Sequence, residues 1–190
     1  MGFRKTSTPS TKKGQASSLW LEDVDDALVK QAMRHARRNN ISTCPLDVEG
    51  LAEHLGAKIS RVSSLPEGVI GRVEINKSDN NKCKIKINNK YPESKKRFTV
   101  AHELGHFLKH NVWQSGDLLE EHVGNVVQHL RSQSSGGLEW EANSFAAQLL
   151  MPAVDVAREF THEKDVAELA KKFGVSKAAM TIRVEKLKLE

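Results

Sequence analysis

The sequence predicts a mixed α+β fold in which helices predominate, with a small antiparallel β-sheet and a helix-turn-helix-like C-terminal segment. Two patterns predict it: apolar residues recur at helical spacing over most of the 190 residues, and they alternate with polar residues in two short neighbouring stretches. A composition of 38% apolar and 28% charged residues is typical of a globular protein with a hydrophobic core. No apolar stretch approaches the roughly 18–20 residues of a membrane span, so we expect no membrane partner.

The N-terminal segment 1–18 is basic and rich in Ser and Thr. It contains no acid, and its bases account for most of the formal net charge of +5: Arg4, Lys5, Lys12 and Lys13. Such a segment buries too little apolar surface to fold, and it lacks the apolar stretch of a secretory signal. The two cysteines of the chain form no disulfide framework, which indicates a reducing compartment. We therefore predict a disordered tail at 1–18 and a single cytoplasmic domain at 19–190.

Two helices are predicted ahead of the sheet. Apolar residues between Val24 and His35 follow helical spacing, with acids before them and bases after them, as the helix dipole favours. A second helix is predicted from Leu46 to Leu55, and Gly56 is placed to end it.

The sheet is predicted from two alternating stretches. Gly71–Ile75 and Cys83–Ile87 flank the turn-rich sequence KSDNNK, which predicts an antiparallel β-hairpin. The lysines of the second strand favour an exposed sheet edge. An extended peptide substrate can pair with such an edge, so Cys83–Asn88 is a candidate substrate-binding strand. Plain core packing with solvated lysines explains the same strand equally well.

Helices follow the hairpin. One begins shortly after the second strand, and another is predicted from Leu138 to Leu150. Between them, apolar spacing over Val123–Leu130 predicts a helix, and SQSSGG predicts a flexible connector. The segment 165–190 is helical on both sides of Gly174, with Ser176 placed to cap the second helix, and it resembles a helix-turn-helix.

The segment FTVAHELGHFLKH contains an HExxH motif. In a helix, His102 and His106 are separated by about 40° of rotation and about 6 Å of rise, close enough to bind one metal ion. Zinc held by two histidines and one carboxylate keeps a fourth position for water. Apolar residues fill the opposite arc of the helix, so one side can be buried while the histidines face a cleft. His110 lies about 12 Å from His102 along the axis, too far to bind the same ion.

The third ligand must come from elsewhere, and LEWEANSFAAQLLMP offers two carboxylates. On a helical wheel Glu139 lies with Asn143 at the edge of the apolar arc. Glu141 lies on the polar side, with Ser144 and Gln148. Because an inward carboxylate can reach a buried ion, we predict Glu139 as the ligand and Asn143 as a partner that orients a ligand.

The sequences RFTVAHELGHFLKH and EWEANSFAAQLLMP, with LPEGVIGRVEIN upstream, resemble the ImmA/IrrE family of zinc metallopeptidases over roughly residues 45–185. The resemblance implies a zincin-like fold and a gluzincin-like site in which His102, His106 and Glu139 bind Zn²⁺ and Glu103 is the catalytic base. It also implies a protein substrate, a helix-turn-helix repressor encoded nearby. Its cleavage would relieve repression in a stress response, a mobile element or a phage, or in a toxin–antitoxin-like pair.

Two other functions stay open at this point. The segment 165–190 carries more bases than acids, so DNA contact is one interpretation. A zinc-bound protein that binds its repressor without cleaving it would carry the same motif. The group that stabilises the oxyanion is also open, with these candidates: Tyr91, Arg97, His110, His122 and His129.

Overall fold

A computed structural model describes residues 27–76, 82–109 and 136–190. The predicted tail, the predicted helix over Val123–Leu130 and the candidates His110, His122 and His129 lie outside these residues. The described elements are seven helices and three strands. In chain order they are α1 (Ala27–Arg38), α2 (Val48–His54), β1 (Ala57–Val62), β2 (Gly71–Asn76), β3 (Lys82–Asn88), α3 (Glu93–Lys109), α4 (Gly136–Leu150), α5 (Ala153–Phe160), α6 (Val166–Phe173) and α7 (Lys177–Lys186).

The helix ends follow local capping chemistry. The Asp47 carboxylate accepts a hydrogen bond from the Gly50 backbone N–H at 2.9 Å, which begins α2. Gly174 ends α6 with a left-handed φ of 66°, and the Ser176 hydroxyl oxygen accepts from the N–H of Ala179 at the start of α7. The predicted break between the two C-terminal helices is therefore confirmed.

The sheet has three strands in the order β1-β3-β2. The predicted antiparallel hairpin is confirmed, with Gly71 opposite Ile87. The prediction that its second strand forms an exposed edge is wrong, because β1 pairs in parallel with β3 and makes β3 the central strand. Cys83–Asn88 therefore has a partner strand on both sides and cannot accept a substrate strand. Among the described strands, the free edges belong to β1 and β2.

One cluster of buried apolar side chains joins the sheet to the helices. Ile85 and Ile87 of β3, Leu104 of α3 and Phe145 of α4 are all 0% exposed. Helix α4 is buried more completely than predicted: the side expected to be polar holds Gln148 in the interior, where its amide donates to the Ser144 hydroxyl at 3.0 Å. This hydrogen bond offsets part of the cost of burying the two polar groups.

Arg97 connects the C-terminal helix pair to α3. Its Nε donates to the carbonyl oxygen of Gly174 at 3.0 Å, and its Nη2 donates to that of Leu46 at 2.7 Å. This guanidinium therefore binds the chain's own backbone, which argues against the role of oxyanion donor considered above. In the described part of the chain, no helix combines the length and hydrophobicity that a membrane crossing requires.

Candidate metal centre

Helix α3 has one face in the core and the other partly exposed. Val100, Ala101 and Leu104 are 0% exposed against the sheet and α4. The side chains of His102 and His106 are 15% and 21% exposed. This two-sided arrangement follows directly from the apolar arc in the sequence.

The structure brings His102, His106 and Glu139 together. The Nε2 atoms of the two histidines are 3.0 Å apart. The Glu139 carboxylate lies 2.9 Å from His106 Nε2 through Oε1 and 3.4 Å from His102 Nε2 through Oε2. Three ligand atoms from two helices thus converge on one point.

These distances suit a zinc ion. Ligands at the usual zinc bond lengths of about 2.0–2.1 Å in a tetrahedral arrangement are separated by about 3.3 Å from each other. The observed separations of 2.9, 3.0 and 3.4 Å are close to that value. Because all three side chains keep some exposure, the set leaves room for a fourth, exchangeable position.

Asn143 is hydrogen-bonded to His102. Its Oδ1 lies 3.0 Å from His102 Nδ1, and an amide oxygen can only accept a hydrogen bond. The Nδ1–H of His102 is therefore the donor, and Nε2 is the ring nitrogen that faces His106 and Glu139. The role of Asn143 in orienting a metal ligand stays a prediction.

The charges of the site act on one another. Burial alone would raise the pKa of Glu139. The hydrogen bonds from His102 and His106 outweigh burial and lower this pKa to about 2. Burial also opposes the charged form of His102, but Glu139 and Glu103 outweigh it and raise the pKa of His102. Burial raises the pKa of Glu103, against the opposing effect of His102 and His106. Glu139 is thus ionised, and Glu103, the residue after His102, is a carboxylate with increased proton affinity.

The distance between α3 and α4 depends on a glycine that the sequence analysis did not single out. A Cβ at Gly105 would lie 3.0 Å from Phe145 Cδ1 and 3.2 Å from Ala142 Cα. Ala142 is on α4 between Glu139 and Asn143, so this close approach sets how far both reach towards α3. A small residue facing a small residue was the available signal in HELGH and EANSF.

The remaining predicted residues lie apart from this cluster. Glu141 is not among the grouped metal-binding side chains, whereas Glu139 is. The ring of Tyr91 packs under the Lys95 ammonium, 4.9 Å from the ring centroid. The buried thiol of Cys83, on β3, lies within electrostatic range of Glu103, a proximity that no sequence pattern indicated.

Residues 52–185 match the model of the peptidase family described as the IrrE N-terminal-like domain. The match spans more than half of the chain, so the chain belongs to this family, as the resemblance predicted. Membership places it among metallopeptidase-related proteins, and the helical α+β fold with a small sheet agrees with a zincin-like domain.

A solved structure of a Mycobacterium tuberculosis transcriptional regulator shares the fold, with a TM-score of 0.59 and 19% sequence identity. The alignment covers 89% of this chain and 48% of that one, so the chain spans about half the length of that regulator. At this identity the likeness concerns the fold alone. A search of curated proteins found no match.

Proposed function

We propose that the protein is a zinc-dependent endopeptidase. The observation that carries the proposal is the convergence of His102, His106 and Glu139 within 4.8 Å of one another, with Glu103 next to them on α3. A zinc ion bound there would lower the pKa of a bound water towards about 7 and polarise the scissile carbonyl. Family membership supports a peptidase, and the donor set of two imidazoles and one carboxylate supports zinc.

Glu103 is the proposed catalytic base. It follows His102 directly, so it lies at the margin of the metal-binding face rather than in the ligand set. Burial raises its pKa, which makes the carboxylate a stronger proton acceptor. In this role Glu103 takes a proton from the attacking water and gives it to the departing amine.

The free edge of β2 is the better candidate for binding an extended substrate, since β3 is enclosed. A Cβ at Gly71 would lie 2.4 Å from Thr99 Cγ2, so β2 runs directly against α3. Thr99 is one helical turn before Glu103. A peptide paired with this edge would lie beside α3, the helix that carries His102 and His106. N-methylation of alternate amides in a cleaved peptide should then raise KM without altering zinc content.

The proposed substrate is a helix-turn-helix repressor encoded near this protein. The support is the family resemblance, together with a fold shared with a protein named as a transcriptional regulator. The test incubates the zinc-bound chain with that repressor and follows fragments by mass spectrometry. Cleavage by wild type and none by Glu103→Gln is the expected result. Intact repressor in both, with zinc bound, would overturn the proposed activity.

A regulatory binding module without proteolysis is the second candidate, favoured by the helix-turn-helix geometry of α6 and α7. Two of its bases are engaged by acids of the same chain: Lys171 lies 2.6 Å from Glu168, and Lys172 pairs with Glu159. This pairing weakens the case for phosphate contact through these two lysines. Equal repressor binding by wild type and Glu103→Gln, without cleavage, is the result that would favour this candidate.

A further inference from the structure

Gly71, the first residue of β2, faces α3 at a point where no side chain fits. A Cβ at Gly71 would lie 2.4 Å from Thr99 Cγ2, whereas ordinary carbon contacts are at about 3.5–4.0 Å. The next neighbours are less close, with Ile87 Cδ1 at 3.2 Å and the Lys86 carbonyl oxygen at 3.5 Å. The φ of Gly71 is not in the left-handed region. Glycine is therefore required here by the lack of space and not by the backbone conformation.

A side chain at position 71 would displace β2 rather than α3. The Thr99 hydroxyl donates to the Lys95 carbonyl oxygen at 3.0 Å, and this bond holds the Thr99 methyl against Gly71. Helix α3 is packed into the core through Val100 and Leu104, both 0% exposed. Among the described strands, β2 pairs on one side only, with β3. To extend the 2.4 Å separation to an ordinary contact, β2 must move outwards by about 1 Å.

The strand that would move lies beside the turn of α3 that carries the proposed catalytic base. Thr99 comes four residues before Glu103, so the two are separated by about 40° of rotation and about 6 Å of rise and lie on the same side of the helix. Further along β2, Ile75 pairs with Cys83, whose thiol is within electrostatic range of Glu103. Strand β2 thus follows α3 from Thr99 towards Glu103.

We propose that Gly71 is a positioning residue, which sets how close the free edge of β2, and a peptide paired with it, lies to Glu103 and the metal ligands. The inference rests on the proposed peptidase function and assigns Gly71 no contact with the reacting atoms. A peptide added to this edge lies one strand spacing, about 4.8 Å, from β2 and moves with it. A misplacement of about 1 Å can cost about 100-fold in rate. Gly71→Ala should therefore lower kcat about 100-fold, whereas KM should change little, because the peptide still pairs with the displaced edge.

The experiment measures kcat and KM for cleavage of the nearby-encoded repressor by the zinc-bound full chain. It compares wild type, Gly71→Ala, Thr99→Ser and the double variant. Thr99→Ser removes the methyl that the new Cβ would meet and keeps the hydroxyl that bonds to Lys95. Alanine at position 71 should thus lower kcat about 100-fold beside Thr99 and have little effect in the Thr99→Ser background. All four proteins should bind the same amount of zinc, because the three candidate ligands come from α3 and α4.

Several outcomes would overturn this inference while the proposed peptidase function stands. They are wild-type kcat in Gly71→Ala, an equal loss of kcat from alanine in the Thr99→Ser background, or a loss confined to KM. A loss of zinc in Gly71→Ala would also overturn it, because α3 rather than β2 would then have moved. Intact repressor after incubation with zinc-bound wild type would instead refute the proposed function, and this inference with it. Circular dichroism verifies that all four proteins are folded at the assay temperature.

Discussion

Replacing Gly105 by Ala tests whether the contact between α3 and α4 sets the geometry of the metal site. The new Cβ would lie 3.0 Å from Phe145 Cδ1, 3.2 Å from Ala142 Cα and 3.3 Å from Ala142 O. Ordinary carbon contacts are at about 3.5–4.0 Å. Two of the three neighbours are backbone atoms, which cannot rotate away. Helix α4 must therefore move outwards by about 0.5 Å.

Stability and metal affinity should respond differently to this change. Alanine in place of glycine favours a helix interior by about 1 kcal/mol, while overpacking a core costs about 1–3 kcal/mol. The net loss of folding free energy is thus at most about 2 kcal/mol. Glu139 and Asn143 move with Ala142, and functional geometry tolerates about 0.5 Å. We expect zinc affinity to fall about tenfold, the lower end of losses from disturbed ligand orientation.

The assay is competition for zinc with a chromophoric chelator, on protein shown to be folded. Val184→Ala is the stability control, because it truncates a buried side chain of α7 and should lower stability without weakening zinc binding. Wild-type zinc affinity in Gly105→Ala would refute the reasoning. Equal losses of affinity in both variants would refute it too, since the effect would then follow stability.

Three further predictions concern single residues. Asn143→Leu should lower zinc affinity about 10–100-fold while Asn143→Asp preserves it, because only the acceptor for the His102 Nδ1–H matters; equal losses in a chelator assay would contradict this. Burial raises the pKa of Cys83 to about 12, so between pH 9 and 12 the thiol ionises only in the unfolded chain. The free energy of unfolding of the wild type should therefore fall with rising pH more steeply than that of Cys83→Ala, by up to about 1.4 kcal/mol per pH unit. Parallel urea stability curves against pH would contradict it. Arg97→Met should lower the free energy of unfolding by about 2–3 kcal/mol, because the hydrogen bonds to the carbonyl oxygens of Gly174 and Leu46 are lost, and Arg97→Lys should recover part of it. An unchanged urea midpoint would refute this role.

Features encoded by local pattern could be predicted from the sequence. The HExxH helix, the cap at Ser176 and the break at Gly174 each depend on a few neighbouring residues, and the structure has all of them. The wheel favoured Glu139 over Glu141, and Glu139 is the carboxylate that lies with His102 and His106. The role of Glu139 as a ligand stays a prediction.

Features that depend on distant segments could not be predicted. Strand β1 pairs with β3 across more than twenty residues, and no local pattern in AKISRV specifies that partner. Because this pairing was not predicted, the central strand β3 was expected to be an edge strand. The burial of Ser144 and Gln148 likewise depends on helices that cover α4 from other parts of the chain. The close contact of Gly105 with Phe145 and Ala142 depends on how α3 packs against α4, which no local pattern specifies.

Zinc per chain, determined by elemental analysis, tests the central claim most directly. Wild type, Glu103→Gln, Glu139→Ala and Glu141→Ala are compared after supply of zinc at neutral pH and removal of the excess. One zinc in wild type, Glu103→Gln and Glu141→Ala, with most of it lost in Glu139→Ala, is the predicted result. A wild-type chain without zinc, or Glu139→Ala retaining it fully, would contradict the account of the site.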